Sequence, residues 1–486
     1  MHGAERLEDG YLGDLIYDDF ASMIPVIEGI DNGRVLGMVA AEFERYKERT
    51  PKSFALLQRA RKHLINGVPT TWHSDWGLPY SFYVERAKDA TLWDIDGNEY
   101  VDFNLADTPA IFGHSPDNEV TRGIVDQLLH KGVTTMAPTE DAVVASELLA
   151  ERYGLPYWYI TLSASDSARN AINIARSVTG RSRILMFNLG YHGTGDETLC
   201  WRPRPEQGVV HRWSHLRPGI DAGANTSVAE FNDLNQVEAI LTNEDVAILM
   251  TEPHLTDGGF TLPIEGWHDG LRELCDRYGT LLLIDETHTQ TAGPGGLTRA
   301  WGLAPDLFMS GKCIAAGIPV GVIGMSESVA QRYEELLNQG DPSAMGGCMG
   351  QGTTNTANAM CVKALRLSLE HNFTEETFAK MNANMDTIER GMNAVVAKHG
   401  APFRTDRFGA RMNVSFLPER AYDAKYAVQS IGFGGLHEYW TYYCLNRGVL
   451  FIPFFNMIIT SPYHTTENCE RVVQLWDEVI ANLFDR

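Results

Sequence analysis

Between about residue 115 and residue 325, short apolar segments alternate with amphipathic ones. That alternation narrows the fold more than any other feature of the 486-residue chain. Strands are predicted over 158–162, 183–187, 246–251, 280–284 and 320–324, with helices over 168–177, 234–241 and 267–278 between them. Parallel neighbours need a crossover, so strands that take turns with helices build a mostly parallel sheet covered on both faces. In such an α/β sheet the ligand site lies beyond the carboxyl ends of the strands.

The flanking regions read differently. Residues 1–70 form an N-terminal helical arm, with helical runs over 33–46 and 51–64. Residues 71–114 carry a hairpin whose Asp96-Gly97-Asn98 turn supplies the positive φ that a tight reversal needs. Residues 115–358 make the large domain. Residues 359–486 open with helices over 359–370 and 375–398, pass through strands over 411–417 and 449–454, and end on an amphipathic helix over 465–484. The expectation is a large sheet domain with a smaller α+β domain drawn from both termini. A net charge of −23 argues against nucleic acid or an anionic membrane as a partner. No apolar run approaches the roughly 20 residues that span a bilayer, and the opening residues lack a secretory apolar stretch. Seven cysteines, odd in number and without a CxxC pair, read as reduced thiols in a cytoplasmic protein with no metal site.

The chemistry concentrates after residue 160. An apolar run ends abruptly in Asp285-Glu286, and Lys312 follows in a second apolar setting, Leu307-Phe-Met-Ser-Gly311. A carboxylate at the end of a buried strand is costly unless a cation meets it. A lysine among apolar residues is costly unless its amine is used covalently or its pKa falls. Pyridoxal phosphate answers both demands, offering a ring-nitrogen cation to Asp285 and an aldehyde to Lys312. Ser163-Ala164-Ser165-Asp166-Ser167 opens a helix, where backbone N–H groups bind phosphate or the side chains merely cap. Tyr191-His192-Gly193 follows a strand. The tyrosine suits stacking on a planar ligand, while His192 serves the ligand or the backbone equally well. Glu252, Asp257 and the Gly352-Thr353 loop fit either structural or ligand roles. His288 matches neither a metal pair nor a catalytic triad.

Taken in order, Asp94-Ile-Asp-Gly-Asn-Glu-Tyr-Val-Asp-Phe103, Ser163–Ser167, Tyr191-His192-Gly193, Glu252-Pro253, Asp285-Glu286-Thr287, Lys312 and Gly352-Thr353 resemble the class III (ω-type) aminotransferases. These are fold-type-I pyridoxal-phosphate enzymes, and the likeness is greatest to the glutamate-1-semialdehyde aminomutase-like branch. It runs from about Ser53 to the C-terminus. The resemblance implies that Lys312 forms an aldimine with the cofactor and then shuttles a proton, and that Asp285 keeps the ring nitrogen protonated. It implies that Tyr191 stacks on the ring, and that Ala164 and Ser165 bind the phosphate. His192, Glu252 and Thr287 join the cofactor site. Thr353 reaches the phosphate of a neighbouring subunit, so a homodimer with shared active sites is expected. The implied activity is a ping-pong aminotransferase working between an amine or amino acid and a keto acid or carbonyl acceptor. An aminomutase of the glutamate-1-semialdehyde type or an amino-acid epimerase is the alternative.

Departures from the family pattern are local. Ser163-Ala-Ser-Asp-Ser167 replaces Ser-Gly-Thr-Glu-Ala, Thr287 replaces a common valine, and Thr289-Gln-Thr-Ala292 replaces Thr-Gly-Phe-Arg and so removes an arginine. The aromatic segment from Trp72 through Trp76 and Tyr80 to Phe82 either lines the pocket mouth or packs the small domain. Arg411 and Arg299 are candidates to pair a substrate carboxylate. A cofactor-free binding module on the same fold is the rival from another class, and Asp285 with Lys312 speaks against it.

Overall fold

The computed structural model describes residues 25–74, 77–202, 210–212, 221–257, 259–339, 351–452 and 455–485. Trp76, Cys348 and the start of the N-terminal arm lie outside these. The chain divides into two compact units, one of residues 117–378 with 422–424, the other of 1–116, 379–421 and 425–486.

The first unit is built on seven strands: β1 Tyr157–Thr161, β2 Arg183–Phe187, β3 Thr226–Ala229, β4 Val246–Thr251, β5 Leu281–Asp285, β6 Leu307–Ser310 and β7 Gly321–Met325. Their order is β1-β7-β6-β5-β4-β2-β3. All run parallel except β7, which is antiparallel to both neighbours. The α/β sheet predicted from the alternation is therefore present. Strand alternation sorts the core into two layers. Leu283 packs with Ile172 and Ile174 of helix α1, Ala164–Thr179, whereas Leu282 and Ile284 pack with Trp267 and Leu271 of the helix Trp267–Tyr278. Burying each such aliphatic side chain contributes about 1.5–3 kcal/mol. Helix α1 starts four residues before the predicted 168 because Ser163 caps it, its Oγ accepting from Asp166 N. Gly180, in the left-handed region at φ 69°, ends it.

Two strands escape a reading by pattern: β3 is short and begins Thr-Ser, and β6 is four residues before a glycine. The helix Ala359–His371, placed by sequence in the C-terminal domain, belongs to the sheet unit. Its Lys363 and Arg366 pair with Asp141 at 3.2 and 3.0 Å, and Leu367 fills the space above Gly123.

The second unit holds a sheet of Val84–Lys88, Thr91–Asp94, Glu99–Asp102 and Val449–Leu450, and another of Arg404–Phe408, Arg411–Ser415 and Met457–Ile459. The predicted turn forms, with Gly97 at φ 92° and Asp94 Oδ1 accepting from the N–H groups of Asp96 and Asn98. Helix Asn32–Arg49 is part of this core: Val35 and Val39 are buried against it, and Arg34 donates to the carbonyls of Asn482 and Leu483. Among the described residues, no helix is long and apolar enough to cross a membrane.

Candidate active site

Parallel strands aim their carboxyl ends at one edge of the sheet, and the chemistry gathers there. β5 ends in Asp285, β4 runs into Glu252, β6 leads through Gly311 into Lys312, and β1 leads into the Ser163 cap of α1. Asp285 is 3% exposed. Its Oδ2 accepts from His192 Nδ1 at 2.9 Å and its Oδ1 from Thr287 N at 3.0 Å. The partner that this buried carboxylate requires is thus His192, which orients Asp285 rather than serving the backbone.

Two glycines draw the pieces together. A Cβ on Gly193 would lie 2.6 Å from Ser165 Oγ, so Ser165 sits directly on the loop that carries Tyr191 and His192; Thr194 N also donates to its hydroxyl at 3.2 Å. A Cβ on Gly311 would lie 2.9 Å from Ala164 N, so the start of α1 touches the residue before the lysine. Lys312 itself has φ 50°, a left-handed conformation that costs a non-glycine residue roughly 1–2 kcal/mol and is typical of a functional position.

The Lys312 amine is hydrogen-bonded to His288 Nε2. On the other side of that ring, His288 Nδ1 lies 2.5 Å from Thr256 Oγ1, and Thr256 donates to Glu252 Oε2 at 2.5 Å. Asp257 Oδ1 stands 3.9 Å from His288 Nδ1. Burial holds the Glu252 carboxyl well above the ordinary range, and the nearby Asp257 and Asp285 charges add to that. Glu286, next to Asp285, is fully buried and binds the following loop through Thr289 Oγ1 and Thr298 N; burial raises its pKa too.

The structure therefore brings Ala164, Ser165, Tyr191, His192, Glu252, Asp285, Thr287 and Lys312 into one connected group. His288 and Thr256 are the members that sequence reasoning missed, because their partners lie 24 and 32 residues away along the chain. Thr353 is not joined to the group: it is exposed and bonds to Thr356 within its own turn. Arg299 is exposed at the end of a short helix. Arg411 belongs to the other unit, where it is 1% exposed and held by Thr108, Met457 Sδ at 3.2 Å and Asp107 at 3.7 Å. Its setting is structural. In the aromatic segment, Phe82 stacks on Tyr100 at 5.0 Å and Tyr80 bonds to Thr50, which is packing within the small unit.

This arrangement sets an amine on a strained backbone and a buried carboxylate at neighbouring strand ends of a mostly parallel α/β sheet. A family model described as Aminotransferase class-III matches residues 73–470, and the chain belongs to that family. It is 30% identical over 445 residues to a glutamate-1-semialdehyde 2,1-aminomutase of Bacillus subtilis (strain 168), covering 90% of this chain and 99% of that protein. Among solved structures it is similar to a glutamate-1-semialdehyde aminomutase from Pseudomonas aeruginosa PAO1, with TM-score 0.89, 36% identity, and 94% and 100% of the two chains covered. It is also similar to an ω-transaminase from Sphaerobacter thermophilus, with TM-score 0.78, 26% identity, and 89% and 97% covered.

The cofactor of this family is pyridoxal phosphate, and the residues present fit it. Among the described residues, the backbone N–H groups of Ala164 and Ser165 at the start of α1 have no hydrogen-bond partner. The buried His192 Nε2 and Thr287 Oγ1 also have none. Two helix-terminal donors beside unpaired polar atoms, a carboxylate and an amine match a planar ring that carries a phosphate.

Proposed function

We propose that the protein is a pyridoxal-phosphate-dependent enzyme that relocates an amino group on a small amino acid or amine, in the manner of an aminomutase. The observation that carries this reading is the placement of Asp285 and Lys312 at the carboxyl edge of the sheet, Asp285 bonded to His192 and Lys312 to His288. The names borne by the relatives favour the aminomutase form over intermolecular transamination. Transamination is the second reading, supported by the likeness to an ω-transaminase.

When bound, the cofactor supplies an electron sink for the carbon that bears the amino group. Its phosphate would be held by the Ala164 and Ser165 amides and the Ser165 hydroxyl. Asp285, fixed by His192 and Thr287 N, would face the ring nitrogen and favour its protonated form. Tyr191 and Thr287 would flank the ring. Lys312 would take the proton from the substrate Cα at Nζ and return it at a neighbouring carbon, which requires the amine to be neutral. Glu252 would help enclose the site as a buried acid.

A homodimer is part of the proposal. Val125, Leu128, Leu129, Val133 and Met136 are between 46% and 88% exposed along one stretch, an apolar surface that a second copy would cover. Thr353, exposed in the single chain, would then reach the phosphate bound by its neighbour. The test is turnover by purified, cofactor-loaded protein. An aminomutase consumes glutamate-1-semialdehyde alone, whereas a transaminase turns over only with a donor and an acceptor together. Absence of both activities, with no visible cofactor band, would overturn the reading.

A further inference from the structure

We infer that His288, Thr256 and Glu252 form a proton relay that serves Lys312, carrying a proton between the lysine amine and the buried glutamate. The inference rests on the reading of Lys312 as the working amine.

The hydrogens can be placed along this path in one consistent direction. Lys312 Nζ donates to His288 Nε2, which makes Nε2 the acceptor and leaves the ring hydrogen on Nδ1. His288 Nδ1 then donates to Thr256 Oγ1 at 2.5 Å, and the threonine hydroxyl donates to Glu252 Oε2 at 2.5 Å. Thr256 N also donates to Glu252 Oε1 at 3.3 Å, so the acid at the far end is fixed in place. Thr256 is 0% exposed, Glu252 3% and His288 6%, so water does not compete for these bonds and the low dielectric strengthens them.

The transfer balances. An ammonium at Lys312 gives a proton to His288 Nε2, His288 Nδ1 gives one to Thr256, and Thr256 gives one to Glu252 Oε2. The result is a neutral amine, a carboxylic acid, and a histidine with its hydrogen moved to the other nitrogen. No electron changes hands and no other reactant is needed. The glutamate is suited to receive the proton because burial, Asp257 and Asp285 all favour its neutral form. The charged and titratable groups that face the path are Lys312, Glu252 and Asp257 around His288, and Asp257 and Asp285 around Glu252. The apoprotein carries Lys312 as a free amine, so it can report on the relay.

The experiment measures reductive methylation of Lys312 in the apoprotein from pH 6 to pH 10, read by peptide mass spectrometry. In parallel, capture of added pyridoxal phosphate is followed by its visible absorbance. Four proteins are compared: the parent, Thr256→Val, Thr256→Ser and His288→Gln, each checked for folding by circular dichroism. The relay predicts that labelling of Lys312 at a fixed pH slows about tenfold in Thr256→Val and His288→Gln. Thr256→Ser, which keeps the hydroxyl, should stay with the parent. An unchanged labelling rate in Thr256→Val and His288→Gln, with the parent capturing cofactor normally, overturns the relay alone. A parent that captures no cofactor overturns the functional reading, and the relay with it.

Discussion

Gly193 links the loop of His192 to the start of α1, and its replacement by alanine tests that link. At φ 94° an alanine pays roughly 1–2 kcal/mol for the left-handed backbone. Its Cβ would also lie 2.6 Å from Ser165 Oγ and 2.7 Å from Ser165 Cα. The second contact is backbone and cannot rotate away, so overpacking adds about 1–3 kcal/mol. The expected total is about 2–5 kcal/mol. Gly180 supplies the control. It sits at φ 69° with nothing within 4 Å of the point where a Cβ would stand, so Gly180→Ala should cost only the backbone share, about 1–2 kcal/mol. Urea unfolding of both apoproteins gives the stability difference, and fluorescence titration with pyridoxal phosphate gives the affinity. If about 2 kcal/mol of the Gly193→Ala cost falls on the bound state, Kd rises about 30-fold, while Gly180→Ala leaves Kd unchanged. Equal stability losses in the two variants, with Kd untouched in both, would refute the argument that Ser165 is braced by Gly193.

Asp285→Asn should lower turnover by about 100-fold or more if Asp285 faces the ring nitrogen as proposed; steady-state rates at saturating cofactor check this, and a loss under about tenfold would count against the role. His464 gives a pH prediction. Burial lowers its pKa to about 4, and its Nδ1 accepts from Ser461 N while Nε2 donates to the Asp102 carbonyl, so the folded protein holds it neutral. The unfolded chain protonates the same ring near about pH 6.5. Its share of stability is therefore whole above about pH 6.5 and is lost as pH falls towards about 4, by about 3 kcal/mol. Urea midpoints measured from about pH 4 to 7 should show a shallower slope in His464→Gln than in the parent. Leu129→Glu should dissociate the proposed dimer, giving a monomer in sedimentation velocity; a mass equal to the parent's would remove that surface from the interface.

Asp285 and Lys312 are legible from sequence because a charge that ends an apolar run is conspicuous at short range. So is the sheet, since β2 and β4 carry continuous apolar runs. What stays hidden depends on distance along the chain. His288 looks idle until the fold sets Lys312 on one side of its ring and Thr256 on the other. His192 reads two ways because its partner Asp285 is 93 residues away. Arg411 is only a candidate carboxylate partner by sequence, and the fold buries it against Thr108 and Met457. The helix Ala359–His371 carries no sequence signal for its unit, which its ion pairs to Asp141 reveal.

The antiparallel strand β7 of the seven-stranded sheet has a consequence for how this protein can vary. Because β7 runs back beside β6, the return over 311–320 is clamped at both ends by strand pairing, Ser310 to Val322 on one side and Gly321 to Thr161 on the other. A slip of one residue in the pairing of β6 would carry Lys312 along the strand by about 3.3 Å, several times the roughly 0.5 Å that a working site tolerates. Length changes in this return are therefore closed to drift and to engineering alike. New specificities have to be written in loops whose anchoring does not set the position of the amine.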